Sequence, residues 1–188
     1  MVGGLVLLFL ASVVLVAVLG TRPVGTTPSP GAANDPGIGD TATGGQGQDV
    51  DGIKCEAGER LEYHVHSHLY ILVDGRPQTV SAQVGIPGYP LPRCIYWLHT
   101  HDASGVIHVE SPVIATYTLG QFFDIWGQPL NRTDVATYPV TGGQLTVFVD
   151  GKEYTGDPRD IALKAHTQIV IEIGQTGPPP QYTFPPGL

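Results

Sequence analysis

Basic residues are scarce in this chain: nine Lys and Arg stand against seventeen Asp and Glu, for a formal net charge of −8 over 188 residues. No Lys/Arg cluster occurs, so there is no electrostatic footprint for a phosphate backbone or an anionic bilayer surface, which argues against a nucleic-acid partner. The sequence also has no G-x-S-x-G elbow, Walker loop or dinucleotide fingerprint. An enzyme built on it would have to be metal-dependent, and no residue is assigned a catalytic role from sequence. Met1 is the only methionine, and the two cysteines have neither C-x-x-C spacing nor the number that a structural zinc site needs.

The length suits one globular domain with extensions. Residues 2–19 are apolar apart from Gly3, Gly4 and Ser12, a run long enough to read as a hydrophobic helix that is either an uncleaved membrane anchor or a signal peptide within residues 1–20. Residues 21–52 are rich in Gly, Pro, Thr, Ala, Asn and Asp. Such a composition buries too little apolar surface to offset the ordering entropy and predicts a flexible linker, about 30 Å end to end if thirty residues are mobile. The expected domain is then 53–188.

Within it the signals are strands and turns. Leu61, Tyr63, Val65, Leu69, Ile71 and Val73 alternate and end on Asp74-Gly75, which predicts a long strand over 61–73 entering a hairpin. Further strands are expected at 78–86, 94–101, 106–110, 112–118, 144–150 and 167–173. Leu69–Arg76 echoes Leu145–Lys152 around a second Asp-Gly pair. One helix is specified: Thr118 and Gln121 form a capping box, Leu119, Phe122, Phe123 and Trp126 share a face, and Gly127 marks the stop. The fold class expected is all-β, a β-sandwich or barrel-like domain with one short helix. The Pro-rich tail from Pro178 should run extended over the surface.

Cys55 and Cys94 read as a disulfide, each preceding or opening a His-bearing strand, so a bridge would set those strands side by side. A disulfide needs an oxidising compartment, which agrees with the hydrophobic leader and places the domain outside the cytoplasm, tethered or secreted.

Six of the seven histidines lie between His64 and His108. In His-Val-His-Ser-His, residues His64, His66 and His68 project from one face of a strand, opposite Val65 and Leu69. His99 and His101 likewise share a face. An H-x-H pair places two imidazoles at a separation one metal ion can span, so His66, His99 and His101 are expected as the core of one site, with His64, His68 and His108 competing for the remaining position. Asp102 and Glu110 are candidates for outer hydrogen-bond acceptors or a fourth ligand. Burial of Leu98, Ile107 and Val109 on the opposite face predicts the register that sets His99 across from His108, although Asp102 and Gly105 suit a bulged turn that would slip it. His166 stands apart and reads as structural. The nitrogen-rich set without methionine points to Cu(II) or Zn(II) rather than Cu(I).

The stretches H-V-H-S-H-L, H-T-H-D-A-S-G-V-I-H-V-E-S, T-L-G-Q-F-F-D-I-W-G and V-D-G-K-E-Y-T-G-D-P, with the ending F-P-P-G-L, resemble a family of exported bacterial proteins for which no activity is established. The resemblance spans about 53–188 and implies one domain there. The leading functional expectation is a membrane-tethered extracytoplasmic metal-binding module. Two others stay open: a metal-dependent enzyme whose metal is held by three histidines, and a surface adhesion or assembly domain with incidental histidines.

Overall fold

The computed structural model describes residues 43–188 and Met1; the apolar run and residues 21–42 of the expected linker lie outside them. Eleven strands and one α-helix follow in chain order: β1 (Cys55–Glu56), β2 (Tyr63–Val73), β3 (Arg76–Gln78), β4 (Ile95–Tyr96), β5 (Leu98–His99), β6 (Val106–Ser111), α1 (Leu119–Trp126), β7 (Asp134–Val135), β8 (Tyr138–Pro139), β9 (Leu145–Val149), β10 (Lys152–Glu153) and β11 (Gln168–Ile173). Seven strands form one sheet in the order β10-β9-β11-β2-β6-β5, with β3 pairing the end of β2; β1-β4 and β7-β8 are separate two-stranded ribbons. The described residues are mostly β, with one short α-helix and a sandwich-like layering. The main sheet ends on two open edges and does not close into a barrel.

Strand β2 is central. Along one edge it pairs antiparallel with β6 and then with β3; along the other it pairs parallel with β11. Its odd-numbered positions join a core that contains Leu69, Ile71, Leu98, Ile107, Val109, Ile169 and Ile171. Helix α1 covers that core. Thr118 Oγ1 accepts from Gln121 N while Gln121 Oε1 accepts from Thr118 N, and Gly127 closes the helix at φ 71°, so the reciprocal cap that the sequence predicts is formed. Phe122, Phe123 and Trp126 are fully buried, each worth about 2–3 kcal/mol of apolar transfer.

Both Asp-Gly pairs make the expected hairpins. Asp74 and Gly75 have φ 49° and 73°, and Asp150 and Gly151 have 50° and 75°, the doubly positive pattern whose twist matches the flanking strands. The sequence echo is therefore a structural one, β2-β3 and β9-β10 sitting on either side of β11.

Two expected strands do not form. Residues 79–94 fold as successive turns, because Gln83 (φ 61°) and Gly85 (φ 74°) interrupt any ladder. A Cβ on Gly85 would lie 2.5 Å from Leu98 O, so glycine is required where this loop crosses β5. The segment 112–118 is irregular as well: Pro112 lacks an N–H, and Val113 and Ile114 point outward, the latter 82% exposed. The expected strand 94–101 is broken at Trp97 into β4 and β5, since Trp97 N donates to Lys54 O while Trp97 O accepts from Glu110 N.

The Cys55–Cys94 disulfide is present, but it does not set β2 beside β5. It joins the β1-β4 ribbon, in which Cys55 pairs with Tyr96, and β6 separates the two His-bearing strands. Residues 43–52 are packed rather than free: Gly45 N donates to Ile125 O, Thr43 Oγ1 donates to Gly127 O, and Tyr96 Oη donates to Gln48 O. The tail runs extended over the sheet face opposite α1, held by Tyr182 N to Gln168 Oε1 at 2.8 Å. Among the described residues, no helix is long and apolar enough to cross a membrane.

Candidate metal centre

The site is a row across three strands. His66 on β2 pairs with His108 on β6, and His108 pairs in turn with His99 on β5, so pleating turns all three imidazoles to the same face. The register is the one that the apolar set Leu98, Ile107 and Val109 requires. Two positions further along, on the same face, His64 stands opposite Glu110. Beyond His99 the strands part, because Thr100 N donates to Val84 O, yet His101 still folds back to put its Nε2 3.2 Å from His99 Nε2.

Two groups of possible ligand atoms result: His64, His66, His108 and Glu110, and His99, His101, His108 and Glu110, with each group's atoms within 4.8 Å of one another. In the first, His64 Nε2 to His66 Nε2 and His66 Nε2 to His108 Nδ1 are both 3.1 Å. Glu110 Oε1 is 3.2 Å from both His64 Nε2 and His108 Nδ1. Neighbouring ligands held 2.0–2.1 Å from an ion lie about 3 Å apart, so these four neighbour separations, within a set no more than 4.8 Å across, are short enough for a small divalent cation. Hydrogen bonding alone fits them less well. A ring nitrogen carries one in-plane hydrogen or one lone pair, so His66 Nε2 satisfies one of its two neighbours at a time.

Burial sets the protonation states. His99 is fully buried and its pKa is pushed down to about 3 by desolvation, which the neighbouring Glu110 carboxylate only partly offsets. His66 is held at about 4 by burial and then by His108 and His64, and His101 is lowered by burial and then by His108. These imidazoles are neutral near pH 7, the form that binds metals. His99 Nδ1 donates to Tyr96 O at 2.9 Å, which fixes the tautomer and leaves the Nε2 lone pair facing His101. Burial alone would raise the Glu110 carboxyl, but the hydrogen bond from His108 and the fields of His99, His108 and His64 outweigh it and hold it below its ordinary value. One Glu110 oxygen, Oε2, is buried with no hydrogen-bond partner. The cluster opens to solvent at both ends, where the His64 and His101 side chains are 37% and 43% exposed.

His68 is not in either group. It lies on the same face of β2 as His64 and His66, but Tyr182 of the tail stacks on it at 3.8 Å and its Nε2 donates to Ser104 O at 2.8 Å. The tail has taken the surface that the alternation assigned to the cluster. The trio His66, His99 and His101 is divided between the two groups, because β6 stands between their strands. Asp102 is also outside: its Oδ1 accepts from Ser104 N at 2.8 Å and shapes the turn. His166 has a structural setting, stacked on Phe184 with Nε2 donating to Leu188 O. Glu110, offered by the sequence either as an outer acceptor or as a fourth ligand, is common to both groups; the His108-Val-Glu110 alternation on one strand face is the signal that aligns it with the histidines. Glu59, whose Oε1 is 3.5 Å from His101 Nε2, comes from an irregular segment and had no signal.

No family model, curated protein or solved structure matches this chain.

Proposed function

We propose that this protein is an extracytoplasmic metal-binding module whose site is formed by His64, His66, His99, His101, His108 and Glu110, and that its metal is Zn(II) or Cu(II). The observation that carries the reading is the ring of 3.1–3.2 Å neighbour separations that links His64 Nε2, His66 Nε2, His108 Nδ1 and Glu110 Oε1, with the imidazoles of His66 and His99 kept neutral by burial. A set of borderline nitrogen donors plus one carboxylate suits these two ions. Both cysteines are in the disulfide, so no thiolate is offered to Cu(I). Incidental surface histidines would be scattered and solvated, whereas His66 and His99 are buried together.

The first group supplies four donor atoms, enough to fill a four-coordinate ion, which favours capture or delivery of metal at that group. The disulfide supports an oxidising compartment, and with the apolar run 2–19 it supports export, as an anchored or a released protein. The test is a competition titration of metal-free, untagged protein with Zn(II) and Cu(II) against a chromophoric chelator. Tight binding is expected, with affinity or capacity reduced when His66 and His108 are both replaced by Ala. Absence of tight binding by the unaltered protein overturns the reading.

A further inference from the structure

Resting on that metal-binding reading, we propose that the centre is dinuclear: it holds two divalent ions at once, the first among His64, His66 and His108 and the second at His99 and His101, with the Glu110 carboxylate bridging them.

The strand order makes the first argument. The strands that carry His64 and His66 on one hand and His99 on the other lie either side of β6, His101 follows directly after β5, and the two residues common to both groups, His108 and Glu110, sit on β6 itself. Neighbouring strands are about 4.8 Å apart, so the outer pairs address different points of the site while the middle strand addresses both. Donor number makes the second. Five imidazoles and a carboxylate exceed the four positions of a tetrahedral ion. A single ion in the first group would leave His99 Nε2 and His101 Nε2, 3.2 Å apart, hydrogen-bonded only to each other and contributing no donor to the metal.

Glu110 makes the third. Its two oxygens face different groups: Oε1 is 3.2 Å from His64 Nε2 and His108 Nδ1, whereas Oε2 lies 3.9 Å from His99 Nε2. Oε2 is buried without a hydrogen bond, and an unpartnered buried carboxylate oxygen is costly unless a cation takes it. A second ion beside His99 and His101 supplies that cation. The ligand sets are then unequal: His64, His66, His108 and Oε1 fill the first ion, while His99, His101 and Oε2 leave the second a position at its solvent-facing end, beside Glu59.

The experiment is a Cu(II) titration of the full-length metal-free protein, followed by calorimetry for stoichiometry and by electron paramagnetic resonance for coupling. Two equivalents are expected to bind, the first giving an isolated Cu(II) signal and the second a loss or broadening of signal per copper, because the carboxylate couples the two spins. Glu110→Gln should weaken the second equivalent at least tenfold and abolish the coupling. If that variant does not fold, the double variant His99→Ala/His101→Ala should bind one Cu(II) with an uncoupled signal. Saturation of the unaltered protein at one equivalent overturns the dinuclear centre and leaves the metal-binding reading standing. Two equivalents with full, uncoupled intensity overturn the shared bridge. No tight binding overturns both.

Discussion

His99 and His108 face each other across the β5-β6 ladder with their rings near parallel, 14° apart and 5.2 Å between centroids. This one pairing links the two outer H-x-H arrays through the middle strand. A shift of the register by one residue would send His108 to the core face beside Leu98 and turn Ile107 and Val109 out of the core. The apolar face therefore holds the polar site in order.

That dependence predicts how the ligands and the fold separate. His99→Ala/His101→Ala should reduce the capacity for Zn(II) by one ion while His64, His66, His108 and Glu110 retain the other. Elemental analysis after dialysis against buffered zinc checks this. Loss of all bound zinc would mean that the two groups act as a single site.

Acidification should destabilise the metal-free protein. The pKa values of His66 and His99 lie at about 4 and about 3 when folded, below the ordinary 6.5, so between these limits the unfolded chain binds more protons than the folded one. Stability is then complete above pH 6.5 and is lost as pH falls toward 4, with a slope of up to about 1.4 kcal/mol per pH unit for each histidine. Urea midpoints measured from pH 7.5 to 4.5 should fall over this range and be flat above it. In the folded protein protons compete for the His66 and His99 nitrogens only as pH approaches their depressed values, so metal held by these two residues should be released toward pH 4 rather than near 6.5.

The tail is expected to control His68. Burial depresses its pKa, opposed by the bond to Ser104 O, and Tyr182 supplies the stacked cover. Tyr182→Ala should raise the His68 pKa toward 6.5 and cost on the order of 1–3 kcal/mol from lost apolar burial and ring stacking. Chemical shifts of the His68 ring against pH read the first effect and thermal melts the second. Zinc stoichiometry should not change.

Removing the disulfide should leave the metal ligands in place but weaken the domain. Cys55 and Cys94 are 39 residues apart, and closing a loop of that length restricts the unfolded chain by about 4 kcal/mol in the chain-entropy model. Cys55→Ser/Cys94→Ser is expected to lose up to that amount in urea denaturation. A thiol titration of the unfolded, unreduced protein should find no free thiol.

The helix gives a control remote from the site. Thr118→Ala deletes the side-chain half of the cap and should cost about 1 kcal/mol, and Gly127→Ala should cost a similar amount because its φ of 71° disfavours a Cβ. Neither should alter metal affinity. A change in affinity would show that α1 acts on the site through β5.

Local chemistry was legible in the chain. The capping box, the αL glycine, both Asp-Gly hairpins and the alternation that turns His64, His66 and His68 to one face all depend on residues within a few positions of each other. The apolar set Leu98, Ile107 and Val109 also fixed the β5-β6 register, because a one-residue slip inverts every side chain. What sequence could not determine was strand order and what lies on top of the sheet. Only the tertiary structure places β6 between the two H-x-H strands, which makes His108 and Glu110 common to both groups and divides His66 from His99 and His101. It alone lays Tyr182 over His68, removing from the cluster a histidine that period-two spacing had counted in. Loop 79–94 has the apolar residues of a strand, but Gln83 and Gly85 adopt positive φ so that the loop can cross β5. Periodicity reports which face a side chain takes; it does not report which strand lies next door, because that is decided by long-range burial.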